Sequence, residues 1–294
     1  MIDLGQGFRE WSNGDHANFV HAWLDPLSAA STNSLGRMGA LEVRLASRKK
    51  EIKHAQRLRY QVFYEEMNAH PDLISRLKRR DIDLFDTQCD HLLVVDHDRK
   101  KPKVVGTYRL LRQDVAAAHD GFYTAREFDI GPMLAAHPTS RFLELGRSCV
   151  LKPYRDKRTV ELLWHGIWTY VRQHRIDVMF GCASLTGTNP KDLMLPLSFL
   201  YHTARSDGAL SALPVMGRGC SMDLIPQHNI DHRRALHSLP PLIKGYLRLG
   251  AKFGPSAVID HQFGTTDVLV ILPVSAINPR YIGHYGEDAS RYAA

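Results

Sequence analysis

One segment of this chain repeats its apolar side chains at helical spacing and predicts a long, core-facing α-helix. Its apolar residues follow the intervals i, i+3, i+4, i+7, i+8 and i+11, and they are Val160, Leu163, Trp164, Ile167, Trp168 and Val171. Apolar runs typical of buried strands lie on both sides of this helix, at residues 142–151 and 177–185. A strand, a helix and a second strand in this order favour a helix packed on a sheet. The chain is therefore expected to have a mixed α/β fold.

The other periodic segments predict a single domain built around the same sheet. They are a strand at 41–45, a helix at 48–67, a hairpin of strands at 91–96 and 104–111, a helix at 190–201, a helix that starts at 239–241 and a strand at 267–274. Residues 1–40 are polar and lack a sustained period, so we expect them to form an N-terminal extension. Residues 41–294 then make up the domain, with its last third as a C-terminal elaboration.

The net charge of +7 and a pI of about 9.2 indicate a protein that is attracted to polyanions. Anionic lipid surfaces and acidic carrier proteins meet that description. Nucleic acid also meets it by charge but ranks last, because no helix-turn-helix, zinc-finger or aromatic-studded basic motif accompanies the scattered cations. The chain has no apolar run of eighteen residues and no signal-peptide pattern, and its four cysteines show no paired spacing. A cytoplasmic protein is the expectation.

Charged residues stand inside several of the segments that predict buried structure. They belong to five short signatures, which are Arg59-x-x-x-Phe63, Asp83-x-x-Asp86, Arg109 in the strand 104–111, Glu144-x-x-Arg147 and the turn Lys152-Pro153-Tyr154-Arg155. Each signature is weak by itself. Together they are candidates for one site.

Glu144 is the candidate general base, because a carboxylate inside a buried strand is out of place unless it is paired or functional. Burial raises the pKa of a carboxyl group and makes it a better proton acceptor near neutral pH. Arg147 lies three residues further on, which places it on the opposite face of a regular strand. We therefore expect a β-bulge at or beside Gly146 that brings both side chains to one side. A structural Glu–Arg pair at a sheet edge is the alternative.

Asp83 and Asp86 are close enough in sequence to share a cation, and neighbouring carboxylates repel each other unless a positive charge lies between them. That cation is either a basic small molecule or an arginine from another element. Arg59, which lies one helical turn before Phe63, and Arg109 in its strand are the candidate partners, because buried arginines need counter-charges. Such a network either holds the sheet together or is completed by a bound substrate.

In this order, the five signatures resemble the acyl-homoserine-lactone synthase branch of the GNAT acyltransferases. Further segments, at 89–94, 181–184 and 239–250, make the chain more similar to the ornithine N-acyltransferases of ornithine-lipid synthesis. The resemblance extends from about Leu41 to Tyr285. It implies a GNAT-like α/β fold with a mixed, mostly antiparallel sheet, flanking helices and a bulged central strand near Gly146.

The resemblance also implies an activity, namely transfer of a 3-hydroxyacyl group from acyl carrier protein to the α-amine of L-ornithine, which yields lyso-ornithine lipid. Glu144 and Arg147 would then be the catalytic residues. The implied acceptor pocket consists of Arg59, Phe63, Asp83, Asp86 and Arg109. No bound cofactor and no metal are implied, because 4'-phosphopantetheine arrives on the carrier protein. The implied location is the cytoplasm beside the inner membrane, because the product is an amphiphile.

The turn after strand 142–151 is expected to contact the donor phosphate. Coenzyme-A-dependent GNAT enzymes have a glycine-rich loop here, whose backbone N–H groups bind pyrophosphate at a helix N-terminus. This chain has no glycine after Arg155, and Arg155, Lys157, Arg158 and Thr159 stand in that place. Cationic side chains suit the single phosphodiester of a carrier protein. Thr159 is also expected to cap the following helix.

Two other functions stay open at this point. An acyl-homoserine-lactone synthase would require S-adenosylmethionine as the acceptor, and an inactive module would bind the carrier protein without turnover. The helix after Leu239-Pro240-Pro241 mixes apolar and cationic residues. It therefore predicts either peripheral contact with an anionic membrane or a core helix whose cations extend to solvent.

Overall fold

The computed structural model describes residues 33–277, and a single large sheet dominates this part of the chain. The strands are β1 (Ser34–Met38), β2 (Leu41–Leu45), β3 (Asp90–Asp96), β4 (Lys103–Arg112), β5 (Phe128–Asp129), β6 (Phe142–Val150), β7 (Val178–Thr186), β8 (Leu213–Pro214), β9 (Gly219–Ser221), β10 (Lys252–Asp260) and β11 (Thr265–Pro273). Nine of them follow the order β1-β2-β3-β4-β6-β7-β11-β10-β9, and β5 pairs with β8 separately.

Helices cover the two faces and one end of this sheet. They are α1 (Lys49–Tyr60), α2 (Leu73–Lys78), α3 (Gln113–Ala117), α4 (Gly131–Ala135), α5 (Lys157–Gln173), α6 (Met194–Ala204), α7 (His232–Ser238) and α8 (Pro241–Leu249). Helix α1 continues into a π-helical segment, Gln61–Glu66, which completes the predicted helix 48–67. Among the described residues, no helix is long and apolar enough to cross a bilayer.

Neighbouring strands of the large sheet are antiparallel except β6 and β7, which run parallel because α5 crosses between them. The predicted mixed, mostly antiparallel α/β sheet is therefore confirmed.

The alternation of side chains in β3 explains why helices pack on both faces of the sheet. On one face, Leu92 contacts α5 at Gly166, where an added Cβ would lie 3.1 Å from the leucine side chain. On the other face, Leu93 and Val95 pack with Ala55 of α1.

The predicted bulge is present in β6. Thr107 and Arg109 of β4 pair with Cys149 and Gly146, so β6 has one residue more than its partner over this stretch. The residue in the left-handed region is Arg147, with φ of 51°, and not the glycine beside it. The chain thus tolerates backbone strain at Arg147, and the arginine side chain is turned into the space between β6 and β7.

Strands β6 and β7 pair over three residues each and then diverge, which creates a cleft in the sheet. Their pairing ends where Glu144 meets Phe180. At that point Gly181 is required, because a Cβ there would overlap the backbone carbonyl of Leu145. Beyond it, β7 continues its full pairing with β11 while β6 stays with β4. A wedge-shaped cleft therefore lies between two halves of one sheet.

Two features differ from the sequence predictions. Strand β1 lies within the range 1–40, so the sheet begins before Leu41, while residues 1–32 of the expected extension lie outside the described residues. Strand β10 was not predicted at all. Its pairing with β11 is interrupted between Phe253 and Ala257, where a glycine and a proline break the alternation.

Candidate active site

The cleft between β6 and β7 has a volume of about 160 Å³ and is lined by both strands, α8, the β10–β11 turn and the chain before β5. Glu144, Arg147 and Ser148 contribute from β6, and Cys182 and Ser184 contribute from β7. Helix α8 closes one side with Leu242 and Tyr246, and its Ile243 and Leu249 are buried in the core. The cationic residues of α8 point away from the core.

Glu144 lies at the apex of the cleft and is 5% exposed. Its Oε2 accepts a hydrogen bond of 3.0 Å from the Tyr123 N–H, and its Oε1 accepts one of 2.6 Å from the Thr124 N–H. Those N–H groups begin a 3₁₀ helix, Tyr123–Arg126, and therefore lack partners within it. Burial raises the pKa of Glu144 despite these hydrogen bonds, which favour the charged form.

The bulge directs Arg147 away from Glu144 and toward two aspartates. Its Nε donates to Asp81 Oδ2 at 3.2 Å, and its Nη2 donates to Asp83 Oδ2 at 3.3 Å. The guanidinium also lies 4.8 Å from the ring centroids of both Tyr123 and Phe263. Arg147 is therefore held by two carboxylates and two aromatic rings on the wall of the cleft.

Arg59, Asp83, Asp86 and Arg109 come together as the sequence suggested, and Asp81 joins them. Arg59 Nη2 donates to Asp86 at 2.8 Å, and its Nε lies 2.8 Å from Asp81. Arg109 Nη1 donates to Asp83 at 2.6 Å. Burial alone would raise the pKa of Asp83, but Arg109 and Arg147 bring it down to about 2. Each arginine therefore has a carboxylate partner.

This cluster of three arginines (Arg59, Arg109, Arg147) and three aspartates (Asp81, Asp83, Asp86) is referred to below as the Arg–Asp network. Its six formal charges balance. Asp83 also accepts a hydrogen bond from the Phe85 N–H, and Asp86 accepts one from the side-chain amide of Gln56. Arginines rather than a bound molecule thus fill the space between the aspartates. Phe63 and Arg109 line the cleft, whereas Arg59, Asp83 and Asp86 lie behind its wall.

The turn after β6 is arranged differently from the sequence expectation. Helix α5 is capped by Asp156, whose Oδ1 accepts from the Thr159 N–H at 2.8 Å, so the predicted cap at Thr159 is wrong. The cause is the start of the helix at Lys157, which puts Thr159 inside the first turn, with its side chain fully buried. Arg155 forms a bidentate ion pair with Glu66, with Nη1 and Nη2 each donating to one carboxylate oxygen. Arg158 is exposed near the β1–β2 turn.

A second group of acidic residues, which the sequence did not reveal, lies at the other end of the cleft. The carboxylate oxygens of Glu127, Asp260 and Asp267 all lie within 4.8 Å of one another. Among residues 33–277, no other group of His, Cys, Asp and Glu side chains has the spacing to surround one cation. Burial raises the pKa of Glu127 to about 7 and that of Asp267 to about 6.

The family model of the acetyltransferase (GNAT) domain matches residues 58–165, from α1 to the middle of α5. The chain is 53% identical to the L-ornithine N(alpha)-acyltransferase of Agrobacterium fabrum over 259 residues, covering 87% of this chain and 88% of that one. It is 53% identical over 263 residues to the Brucella abortus protein of the same name, covering 88% and 93%. The Rhizobium meliloti protein of that name is 51% identical, covering 91% and 92%.

Solved structures with a similar backbone are more distant. FeeM, an N-acyl amino acid synthase from uncultured soil microbes, is 10% identical with a TM-score of 0.44, covering 80% of this chain and 91% of that one. The CoA-dependent acyl-homoserine lactone synthase BjaI is 13% identical with a TM-score of 0.43, covering 82% and 83%.

Proposed function

The chain belongs to the GNAT acyltransferase family that contains the L-ornithine N(alpha)-acyltransferases, and on that premise we propose that it acylates the α-amine of L-ornithine. The proposed donor is a 3-hydroxyacyl group on acyl carrier protein, and the proposed product is lyso-ornithine lipid. The observation that carries this proposal is sequence identity above 50% to relatives of that name over most of the chain. The buried carboxylate of Glu144 in the cleft supports it.

The reaction requires an amine that has lost its proton and lies close to a thioester carbonyl. The amine nitrogen forms a bond to the carbonyl carbon and the carbon–sulfur bond breaks. The nitrogen then loses a second proton to give the amide, and the pantetheine sulfur takes up a proton and leaves as a thiol. Glu144 takes the proton that the ammonium releases, directly or through one water. A raised pKa in a buried site suits this role, because the carboxylate then binds a proton more strongly at neutral pH.

The donor arm fits the wedge between β6 and β7. Beyond Glu144 the edge of β6 that faces β7 has no ladder partner, so its backbone N–H groups are available to the thioester and its developing oxyanion. Arg147 adds a fixed positive charge beside that edge. We assign the donor phosphate to the start of α5, where Lys157, Arg158 and outward-facing N–H groups lie, with Arg155 and Thr159 supporting the turn.

In this proposal the Arg–Asp network forms the rear wall of the acceptor pocket. Phe63 and Arg109 face the cleft, and we assign to Arg109 the binding of the α-carboxylate of the amino acid. Arg59, Asp83 and Asp86 act by holding Arg109 and Arg147 in place. The proposed location is the cytoplasm, with peripheral contact at an anionic membrane where the amphiphilic product is released.

Mass spectrometry of the products tests the proposal. The pure protein is incubated with 3-hydroxyacyl carrier protein and, in separate reactions, ornithine, lysine or S-adenosylmethionine. N-acyl-ornithine is the expected product, and a matched reaction with the acyl-coenzyme A of the same chain shows whether the carrier protein is required. A lactone from S-adenosylmethionine, or no product from folded protein, would contradict the proposal.

A further inference from the structure

The acidic group Glu127, Asp260 and Asp267, named here the acidic triad, is assembled from distant parts of the chain. Glu127 follows the 3₁₀ helix that holds Glu144, Asp260 ends β10, and Asp267 lies in β11 opposite Ser184 of β7. Asp260 and Asp267 line the cleft. Three carboxylates within 4.8 Å repel one another, so the folded chain maintains an unfavourable arrangement at this position.

Two oxygens of the triad are buried without a hydrogen-bond partner. Glu127 is 4% exposed and Asp267 is 6% exposed, yet Oε2 of Glu127 and Oδ1 of Asp267 accept no hydrogen bond from any residue in the described range 33–277. An unpaired buried acceptor costs roughly 1–3 kcal/mol, and more when it is charged. A molecule with N–H donors that enters the cleft would satisfy these oxygens.

The surrounding protein supplies little positive charge to the triad. Arg218 lowers the pKa of Glu127 only as a minor influence, and this exposed arginine donates to the backbone carbonyl of Arg126. Arg147 acts on Asp267 in the same minor way, since its guanidinium is paired with the Arg–Asp network. Burial has the largest effect on the pKa of both carboxyl groups and raises it. The side chains of Thr265 and Ser184 lower the pKa of Asp267, and repulsion from a neighbouring carboxylate raises the pKa of Glu127 and of Asp267. A cation with several N–H donors is the ligand that this environment favours.

We propose that the acidic triad is the subsite for the side-chain ammonium of the acceptor amino acid. An ammonium group offers three N–H donors, one for each carboxylate, and its charge relieves the repulsion among them. This inference rests on the proposed function, because it assigns a second contact to the same acceptor. It also gives the active site a means to select a diamino acid over a neutral one.

Asp260, Asp267 and Glu144 line the same cleft, together with Cys182. Thr124, whose N–H binds Glu144, is three residues before Glu127. Cys182 Sγ donates to Thr124 Oγ1 at 3.8 Å, and Glu127, Asp267 and Glu144 all raise the pKa of this buried thiol. One amine of the acceptor can thus lie at Glu144 while the carbon chain from Cα to Cδ extends toward the triad.

The Arg–Asp network cannot provide this subsite, although its aspartates were the first candidates. Asp83 and Asp86 already accept from arginines at 2.6 and 2.8 Å, and an incoming ammonium would have to displace a guanidinium. Asp81 accepts from Tyr64 and Arg147 as well. The acidic triad differs, because no arginine is paired with it within residues 33–277. Asp260 Oδ1 accepts from the Gln262 and Phe263 N–H groups at 2.8 and 3.0 Å, whereas Oε2 of Glu127 and Oδ1 of Asp267 have no partner there.

Asp267→Asn and Glu127→Gln test the assignment, because each removes one charge and keeps the side-chain size. Asp207→Asn, at an exposed aspartate outside the cleft, is the matched control. Initial rates are measured with ornithine and with norvaline, which has the same carbon chain without the second ammonium. We expect the ornithine-to-norvaline ratio of kcat/KM to fall about tenfold or more in both triad variants and to stay at the wild-type value in the control.

Thermal unfolding provides a readout that needs neither donor nor turnover. Ornithine, but not norvaline, should raise the Tm of the wild-type protein and of Asp207→Asn, and it should not raise the Tm of Asp267→Asn. If ornithine stabilises Asp267→Asn as much as the wild type, the inference is wrong even where the wild type acylates ornithine. If the wild type acylates another amine and not ornithine, the proposed function is wrong. The comparison of Tm shifts with ornithine between the wild type and Asp267→Asn still tests the subsite in that case.

Two further outcomes would overturn the assignment. A loss of norvaline acylation equal to the loss of ornithine acylation would mean that the triad binds the reacting amine. A requirement for Mg²⁺ or Ca²⁺, shown by loss of activity after chelation and by metal-dependent stabilisation that Asp267→Asn lacks, would make the triad a metal site. Activity that is unchanged by chelators is the expected result.

Discussion

Asp81→Asn should destabilise the protein far more than the sequence around it suggests. Asp81 is 2% exposed and lies between two guanidinium groups. Its Oδ2 is 2.8 Å from Arg59 Nε and 3.2 Å from Arg147 Nε, while its Oδ1 accepts from the Tyr64 hydroxyl at 2.9 Å. An asparagine presents an N–H group to one of these donors and leaves the Arg–Asp network with three positive and two negative charges.

The expected loss is about 3–5 kcal/mol, which is the cost of removing one partner from a buried ion pair and leaving the other charged. For a domain of this size, that loss lowers Tm by about 6–20 °C. The pKa of Asp81 in the folded protein determines how its contribution to stability changes with pH. Burial would raise the pKa of Asp81, but Arg147 and Arg59 bring it below its ordinary value. Its contribution is therefore present above about pH 4 and is lost as the pH falls further.

Urea unfolding at pH 7 and at about pH 2.5 measures the effect, with Asp114→Asn as the matched control. Asp114 forms an ion pair with Arg112 at 3.2 Å, but its side chain is 74% exposed, so its loss should cost less than about 1 kcal/mol. The Asp81 variant should also show a smaller fall in stability between pH 7 and about pH 2.5 than the wild type. A loss for Asp81→Asn as small as that of the control would refute the reasoning.

Three further predictions concern the cleft. Glu144→Gln should lower kcat about 10²–10⁴-fold while circular dichroism shows a retained fold, and an unchanged kcat would end its role as the base. Gly181→Ala should cost about 1–3 kcal/mol in urea unfolding, because its Cβ would overlap a backbone carbonyl of β6, whereas Gly146→Ala, with open space around it, should cost clearly less. The KM for ornithine should fall as pH rises from 5 to 8. The raised pKa values of Glu127 (about 7) and Asp267 (about 6) keep the triad partly protonated at pH 5, and neutral carboxyl groups bind an ammonium less tightly than carboxylates do. A KM that does not change with pH would contradict the assigned subsite.

The main elements of the fold were predictable because their periodicity is local. The apolar stripe of α5 and the apolar runs of β6 and β7 describe a buried helix between buried strands without reference to the rest of the chain. Strand β10 was not predicted because its local pattern is interrupted. It carries Gly254 and Pro255 at a bulge, and its remaining alternation is too short to be distinguished from a loop.

The candidate site was predictable only in part. Arg59, Arg109, Asp83 and Asp86 were recognised as future partners because buried charges need counter-charges. The structure pairs Arg59 with Asp86 and Arg109 with Asp83. Asp267 offered the same signal as Glu144, a carboxylate within an apolar strand, and the argument that singled out Glu144 would have found it. Asp81 offered no such signal, since nothing in a polar loop indicates which carboxylate becomes buried.

By itself, the sequence of this protein determined the order of the main helices and strands, the need for a bulge near Gly146 and several of the charges that required partners. These properties depend on neighbours along the chain. Only the tertiary structure decided that Arg147 occupies the bulge and turns toward Asp81, and that Glu127 and Asp267 meet although 140 positions separate them. The physical reason is that electrostatic partners are chosen by distance in space, and that distance exists only after the sheet has assembled.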